Sequence, residues 1–185
     1  MLDFKWDKFY WEARAQLPSW AGYQTRNGPY GSISSDESSD GVVTFVVDSE
    51  DDKGAPLTEQ QHANVQWVLV HEAEVASAVL EGLLTEYPRL QQIYNAHEDE
   101  EREALMPDVS STEEFRRLIG LHNVHVHSLM KEGLPYVGYE FGCTWDDEHG
   151  LGVFTHGTRV LEVGGADTAF DLWIAKRDAR GDGTG

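Results

Sequence analysis

Cysteine is nearly absent from this chain, and basic residues are scarce: one Cys, three Met, and 14 Lys and Arg against 33 Asp and Glu among 185 residues. The lone Cys143 excludes an internal disulfide and fits a reducing compartment. No apolar run approaches the roughly 20 residues that a membrane-crossing helix needs, so no membrane span is expected. The first residues, MLDFKWDKFYWEARAQL, carry charge from the third position. They lack the basic start and unbroken apolar stretch of an export signal, so a cytoplasmic location is the expectation. No self-similar segment recurs of the kind that marks solenoids.

The charge balance is −19. Such a chain repels phosphate-rich ligands, which argues against nucleic acid as a partner. It attracts a basic protein and speeds that association, although solubility alone also accounts for an acidic surface. With 40% hydrophobic residues, the length suits one domain, expected over residues 1–181 with a frayed tail at 182–185.

Hydrophobic spacing organises the chain. Phe9, Trp11, Ala13, Ala15 and Leu17 alternate with polar neighbours, which predicts a half-buried strand ended by Pro18. Residues 18–41 are rich in Gly, Ser, Asn and Asp, with turn signals at Asn27-Gly28-Pro29 and Tyr30-Gly31. Trp20, Tyr23 and Tyr30 argue that this segment is an ordered loop pinned by its rings. A second strand, Val42 to Ser49, is expected to pair antiparallel with the first. Thr58 and Gln61 form a capping box, and the apolar positions from Val65 to Leu83 predict a helix from about 59 to about 85. Pro88 closes that helix or opens a short second one through Tyr94, and Glu98 to Glu101 is a solvated charge run. Ser111 or Thr112 caps a short helix through Arg117.

The remainder reads as a meander. Strands are expected at 118–130, 136–145, 151–156 and 159–163, and Asp167 is expected to cap a final helix with Phe170, Trp173 and Ile174 as its apolar positions. The fold class is α+β: a mainly antiparallel sheet of about six strands packed with one long central helix and a C-terminal helix.

Few residues point to chemistry. His125 and His127 lie two apart on a strand and share a face, with Leu121 and Asn123 expected beside them and His122 expected to point away. Two imidazoles so placed can hold zinc if a third ligand joins them, and His149 is the candidate. A solvent-facing polar row is the competing reading. Asp146, Asp147, Glu148 and His149 offer metal ligands or an acid–base pair, yet a hairpin loop with Gly150 in the left-handed region accounts for them better. Cys143 shares parity with Val137, Tyr139, Phe141 and Trp145, which suits a small core residue better than a nucleophile. The glycines at 138, 142, 150 and 152 fall within or between strands, where glycine marks a bulge or close backbone approach rather than a phosphate loop.

The segment EFGCTWDDEHGLGV, Glu140 to Val153, is followed by Arg159-Val160 and by Gly164-Gly165-Ala166-Asp167. This pattern, EFGCxWDxEHGLGV then RVxxVGGAD, resembles an uncharacterised bacterial family known only as a domain of unknown function. LPSWAGYQ (17–24) and GPYGSISS (28–35) resemble it as well. The resemblance implies membership and no catalytic role. By analogy, small acidic α+β proteins of this kind are similar to immunity or accessory proteins of toxin loci.

The expectation is therefore a non-catalytic domain that binds a basic protein partner, immunity-like towards a toxin and without a cofactor. Its candidate binding residues are Trp20, Tyr23, Tyr30, Asp146, Asp147, Glu148 and His149. The alternative is a metal-dependent hydrolase, with zinc as the metal, that uses His125 and His127 with the turn Asp146 to His149, where Asp146, Asp147, Glu148 or His149 completes the site.

Overall fold

The computed structural model describes residues 2–26, 34–49, 54–94, 103–146 and 148–181. Tyr30, Asp147, the turn signals at 27–31, the charge run at 98–101 and the tail at 182–185 lie outside the described residues.

The central sheet has seven strands. These are β1 (Lys5–Trp6), β2 (Tyr10–Gln16), β5 (Val42–Asp48), β6 (Ile119–Lys131), β7 (Leu134–Cys143), β8 (Leu151–His156) and β9 (Arg159–Gly164), hydrogen-bonded in that order. A separate ribbon pairs β3 (Gln24–Arg26) with β4 (Ser34–Ser38). The fold class is α+β as expected. The added strand is the short edge β1, two residues long, whose alternation is too brief to read from sequence. All neighbours in the sheet are antiparallel except β5 and β6, which run parallel. A parallel pair needs a long crossover, and the helices between these strands supply it.

That crossover is two helices rather than one. Helix α1 (Glu59–Val70) begins at the expected capping box: Thr58 Oγ1 accepts from the Gln61 amide at 3.2 Å, and Gln61 Oε1 accepts from the Thr58 amide at 2.8 Å. His71 then leaves helical geometry, its ring stacked on Trp67 and donating from Nδ1 to the Trp67 carbonyl. Helix α2 (Glu72–Ile93) follows and runs through Pro88. The expected end near residue 85 is thus corrected. Tyr87 and Leu90, on either side of the proline, are buried in the core, and tertiary packing outweighs the missing amide.

The two sheet faces are unlike. One carries Ala15, Val43, Phe45, Val47, Val124, Val126, Val137, Tyr139, Phe141, Cys143 and Val153 and packs against α1 and α2 as the main core. Buried amides stitch α1 to the sheet: Gln61 Nε2 donates to the Asp48 carbonyl and to Ser128 Oγ, and Asn64 Nδ2 donates to the His127 carbonyl. These contacts satisfy backbone where the β6–β7 register slips between Val126 and Met130. Phe9, expected on the inward face, lies before β2 and is 72% exposed.

The other face is covered at its β7–β9 end by a 3₁₀ turn, Ala166–Phe170, and by helix α3 (Leu172–Ala179). Asp171, not Asp167, caps α3, its Oδ1 accepting from the Trp173 amide at 2.8 Å. The helix therefore begins one turn later than expected, because the 3₁₀ turn takes up the intervening residues. Ile174 and Ala175 pack on Tyr136 and Phe154, whereas Phe170 and Trp173 are 52% and 56% exposed. The turn rests on glycine: a Cβ at Gly138 would run into the Ala169 carbonyl, and one at Gly152 into the Gly165 carbonyl. This is the close backbone approach that glycines within strands signal.

An ionic clasp holds the end of α3. Asp178 accepts from Arg159 Nη2 at 2.8 and 2.9 Å and from the Tyr136 hydroxyl at 2.8 Å, with Lys131 Nζ at 3.4 Å. Burial pushes the Asp178 carboxyl up, but the bonds from Arg159 and Tyr136 and the charges of Arg159 and Lys131 outweigh it and hold it at about 2.

Two outcomes follow from this packing. Gly138→Ala should lower stability by about 3 kcal/mol or more in denaturant titration, because backbone rather than a flexible side chain must move. Because the folded-state pKa of Asp178 is depressed, its contribution is fully present above the ordinary value of 3.8 and is lost as pH falls through about 2. Thermal melts of Asp178→Asn should accordingly lose part of the decline seen in the parent chain across that window.

Candidate functional site

The polar face of β6 and β7 departs from simple alternation at one point. The β6–β7 register shifts between Leu121 and Asn123, so His122 is an inserted bulge residue. Leu121 consequently turns into the core, and His122 joins Asn123, His125 and His127 on the opposite face. Both placements correct the strand-parity expectation, which assumed unbroken alternation.

His125 and His127 do share a face, but their rings have separate partners. His125 Nε2 donates to Glu140 Oε2 at 2.7 Å, and its ring lies 5.5 Å from that of Phe170. His127 is buried beneath the 3₁₀ turn, stacked on Phe154, and donates from Nε2 to the Ala169 carbonyl at 3.1 Å. Its Nδ1 stands 3.8 Å from Asp48 Oδ2. Among the described residues, no group of three or more His, Cys, Asp and Glu side chains is placed to hold a metal ion. The set His125, His127 and His149 is therefore not brought together as zinc ligands.

Glu140 is the residue that sequence reasoning missed as a site member. It sits directly across from Asn123 in the ladder, and its Oε2 accepts from both Asn123 Nδ2, at 2.9 Å, and His125. Its side chain is 22% exposed. Desolvation pushes its carboxyl up, but the hydrogen bonds from His125 and Asn123, aided by the charges of His125 and His122, hold it below the usual glutamate range. The available signal in the sequence was a lone glutamate three residues before the end of an apolar strand.

Glu140 lines a cleft of about 320 Å³ with His122, Gly142, Glu148, His149, Gly150, Ala166, Asp167 and Phe170. Its walls are mostly apolar. Exposed Glu148, His149, Asp167 and Phe170 form the rim. A second cleft of about 460 Å³, bordered by Arg14, Thr25, Ser38 and Asp40, reaches the same bulge at His122 but is lined mainly by polar groups.

The acidic turn is built as a hairpin loop. Asp146 Oδ1 accepts from the His149 amide at 2.8 Å and from His149 Nδ1 at 3.2 Å, and the Asp146 carbonyl accepts from the Gly150 amide. Gly150 has φ +62°, the left-handed geometry expected of it. Asp146 is thus a turn former, while Glu148 and His149 are left to face the cleft. The Ala166 amide donates to the His149 carbonyl at 2.9 Å and ties this loop to the 3₁₀ turn.

Trp20 and Tyr23 lie elsewhere. Both are 1% exposed, packed on each other, and Trp20 also packs on Phe141 inside the main core. Arg116 lies over the Tyr23 ring at 4.8 Å and donates to the Ala21 carbonyl. They pin their loop as expected, but they are not surface anchors for a partner. Cys143 is likewise buried in the core, on the face opposite the cleft.

Substitutions should separate the two classes of residue. Trp20→Ala should cost about 3–5 kcal/mol in urea unfolding, the usual range for a buried aromatic, while Phe170→Ala should stay within about 1 kcal/mol of the parent.

No curated protein matches the chain, and no solved structure matches it. A family model does: the domain of unknown function DUF6985 matches residues 15–170, so the chain belongs to that family.

Proposed function

We propose that this domain is a non-catalytic binding module for a basic protein, immunity-like towards a toxin. The observation that carries the reading is the cleft itself. An ionised, half-sequestered carboxylate, Glu140, opens onto apolar walls, and exposed Glu148 and Asp167 stand at the rim beside exposed Phe170. Protein interfaces draw most of their energy from a few anchors that fill such pockets, surrounded by a rim that excludes water. The net charge of −19 adds long-range attraction for a basic surface and suppresses acidic competitors.

Part of the set that a hydrolase would draw on is engaged in folding, whereas His149 stands at the cleft rim and His125 is bonded to Glu140. His127 holds the 3₁₀ turn, Asp146 forms the hairpin loop, and Cys143 fills the core. Glu140, Glu148 and Asp167 are the cleft acids left to meet a ligand.

The test compares charge reversals of equal size. With a small basic protein as probe, the double change Glu148→Lys and Asp167→Lys should weaken binding at least about ten-fold, and parent binding should fall steeply with added salt. Glu74→Lys with Glu81→Lys, on the exposed side of α2, makes the same change in net charge and should leave binding within about two-fold. Equal losses from the two pairs would show attraction by overall charge alone and reject the cleft as the docking surface.

A further inference from the structure

We infer that the cleft receives one arginine side chain of the basic partner, with Glu140 as its acceptor; this rests on the protein-binding reading above. The first observation concerns the two oxygens of Glu140. Asn123 and His125 both donate to Oε2, and Oε1 has no hydrogen bond to any described residue while the side chain lines the cleft. The carboxylate is held at one corner and presents an open acceptor at the other. A charged acceptor in partly desolvated surroundings is stabilised most by a charge-assisted donor.

The second observation selects the donor. The rim acids Glu148 and Asp167 stand on the hairpin loop and the 3₁₀ turn, which are distinct elements from the strand that carries Glu140. A lysine ammonium is a compact, strongly hydrated point charge whose three donors reach only acceptors gathered closely round one nitrogen. A guanidinium spreads five N–H donors across a plane and can bond Oε1 while its outer edge faces the rim carboxylates.

The third observation is the aromatic wall. Phe170 leaves 52% of its surface open and stands with its ring centroid 5.5 Å from that of His125. A planar guanidinium stacks on such a ring face, and its weak hydration makes leaving water less costly than for lysine. Gly142, Gly150 and Ala166 keep part of the wall free of bulk, which suits an apolar three-carbon stem.

The experiment uses the whole domain and two peptides of equal length and charge, one arginine-rich and one lysine-rich, titrated calorimetrically at matched ionic strength. The arginine peptide should bind about ten-fold tighter. Glu140→Gln, which keeps the shape of the side chain, should bring the arginine peptide to the level of the lysine peptide without changing lysine binding. Phe170→Ala removes an exposed ring, leaves folding intact, and should narrow the preference on its own. Equal binding of the two peptides would overturn the arginine assignment and leave the basic-partner reading standing. A preference that survives both substitutions would also overturn it, by placing the arginine elsewhere. Failure of both peptides to bind would overturn both readings. If Glu140→Gln lowers the melting temperature sharply, the Phe170→Ala result decides the matter.

Discussion

The cleft depends on one steric constraint, the direct seating of a 3₁₀ backbone on strand glycines. Along one cross-strand row, Asn123 faces Glu140, Glu140 faces Gly152, and Gly152 faces Gly164. The carboxylate is thus followed across the sheet by two positions without a side chain, and Gly138 lies one step along β7. Over that bare patch Ala166–Phe170 descends until the Ala169 carbonyl meets Gly138 and Thr168 meets Gly164. Any side chain at these points would lift the turn away from the sheet. With the turn seated, the Ala169 carbonyl accepts a hydrogen bond from His127, Ala166 engages the hairpin loop, and Asp167 and Phe170 reach the rim beside Glu140.

The β-bulge at His122 is the second determinant, and it acts through parity. An inserted residue lets two consecutive side chains leave the core together, so His122 and Asn123 both reach the polar face. Without it, Leu121 would be exposed, or else Asn123 would be buried and Glu140 would lose one of its two donors. The bulge therefore protects the core and supplies one of the two donors to the partly buried Glu140 carboxylate at the same point.

The sequence was most readable where local chemistry decides the outcome. The capping box at Thr58, the strand at 151–156, the left-handed Gly150 and the inward set from Val137 to Trp145 depend on neighbours within a few residues, and they appear as expected. Legibility failed where distant contacts decide. The helix continues through Pro88 because Tyr87 and Leu90 are held by the core, and Trp20 and Tyr23 are buried because Phe141 and Arg116 come to them from far along the chain. The bulge leaves only a slight mark, the consecutive polar pair His122-Asn123 between Leu121 and Val124, and a strict period of two cannot place the inserted residue. Glu140 was passed over for a related reason. One glutamate in an apolar strand has no meaning until the sheet sets Asn123 and His125 beside it, a pairing across a hairpin that periodicity cannot supply.

The division of labour between the sheet faces bears on how a ligand would be held. The helix-covered face contains nearly all of the large apolar side chains, so the opposite face can accommodate a carboxylate without opening the main core. Desolvating that carboxylate is unfavourable, and the two hydrogen bonds to Oε2 offset it only for that oxygen. The same bonds fix the side chain, so Oε1 is already oriented before a partner arrives. A group fixed in advance loses little conformational freedom on binding, which leaves more of the gross attraction as affinity. On the proposed binding reading Asn123 and His125 would serve both folding and recognition: they make the partly buried charge tolerable, and they would aim the oxygen that carries no hydrogen bond from the described residues.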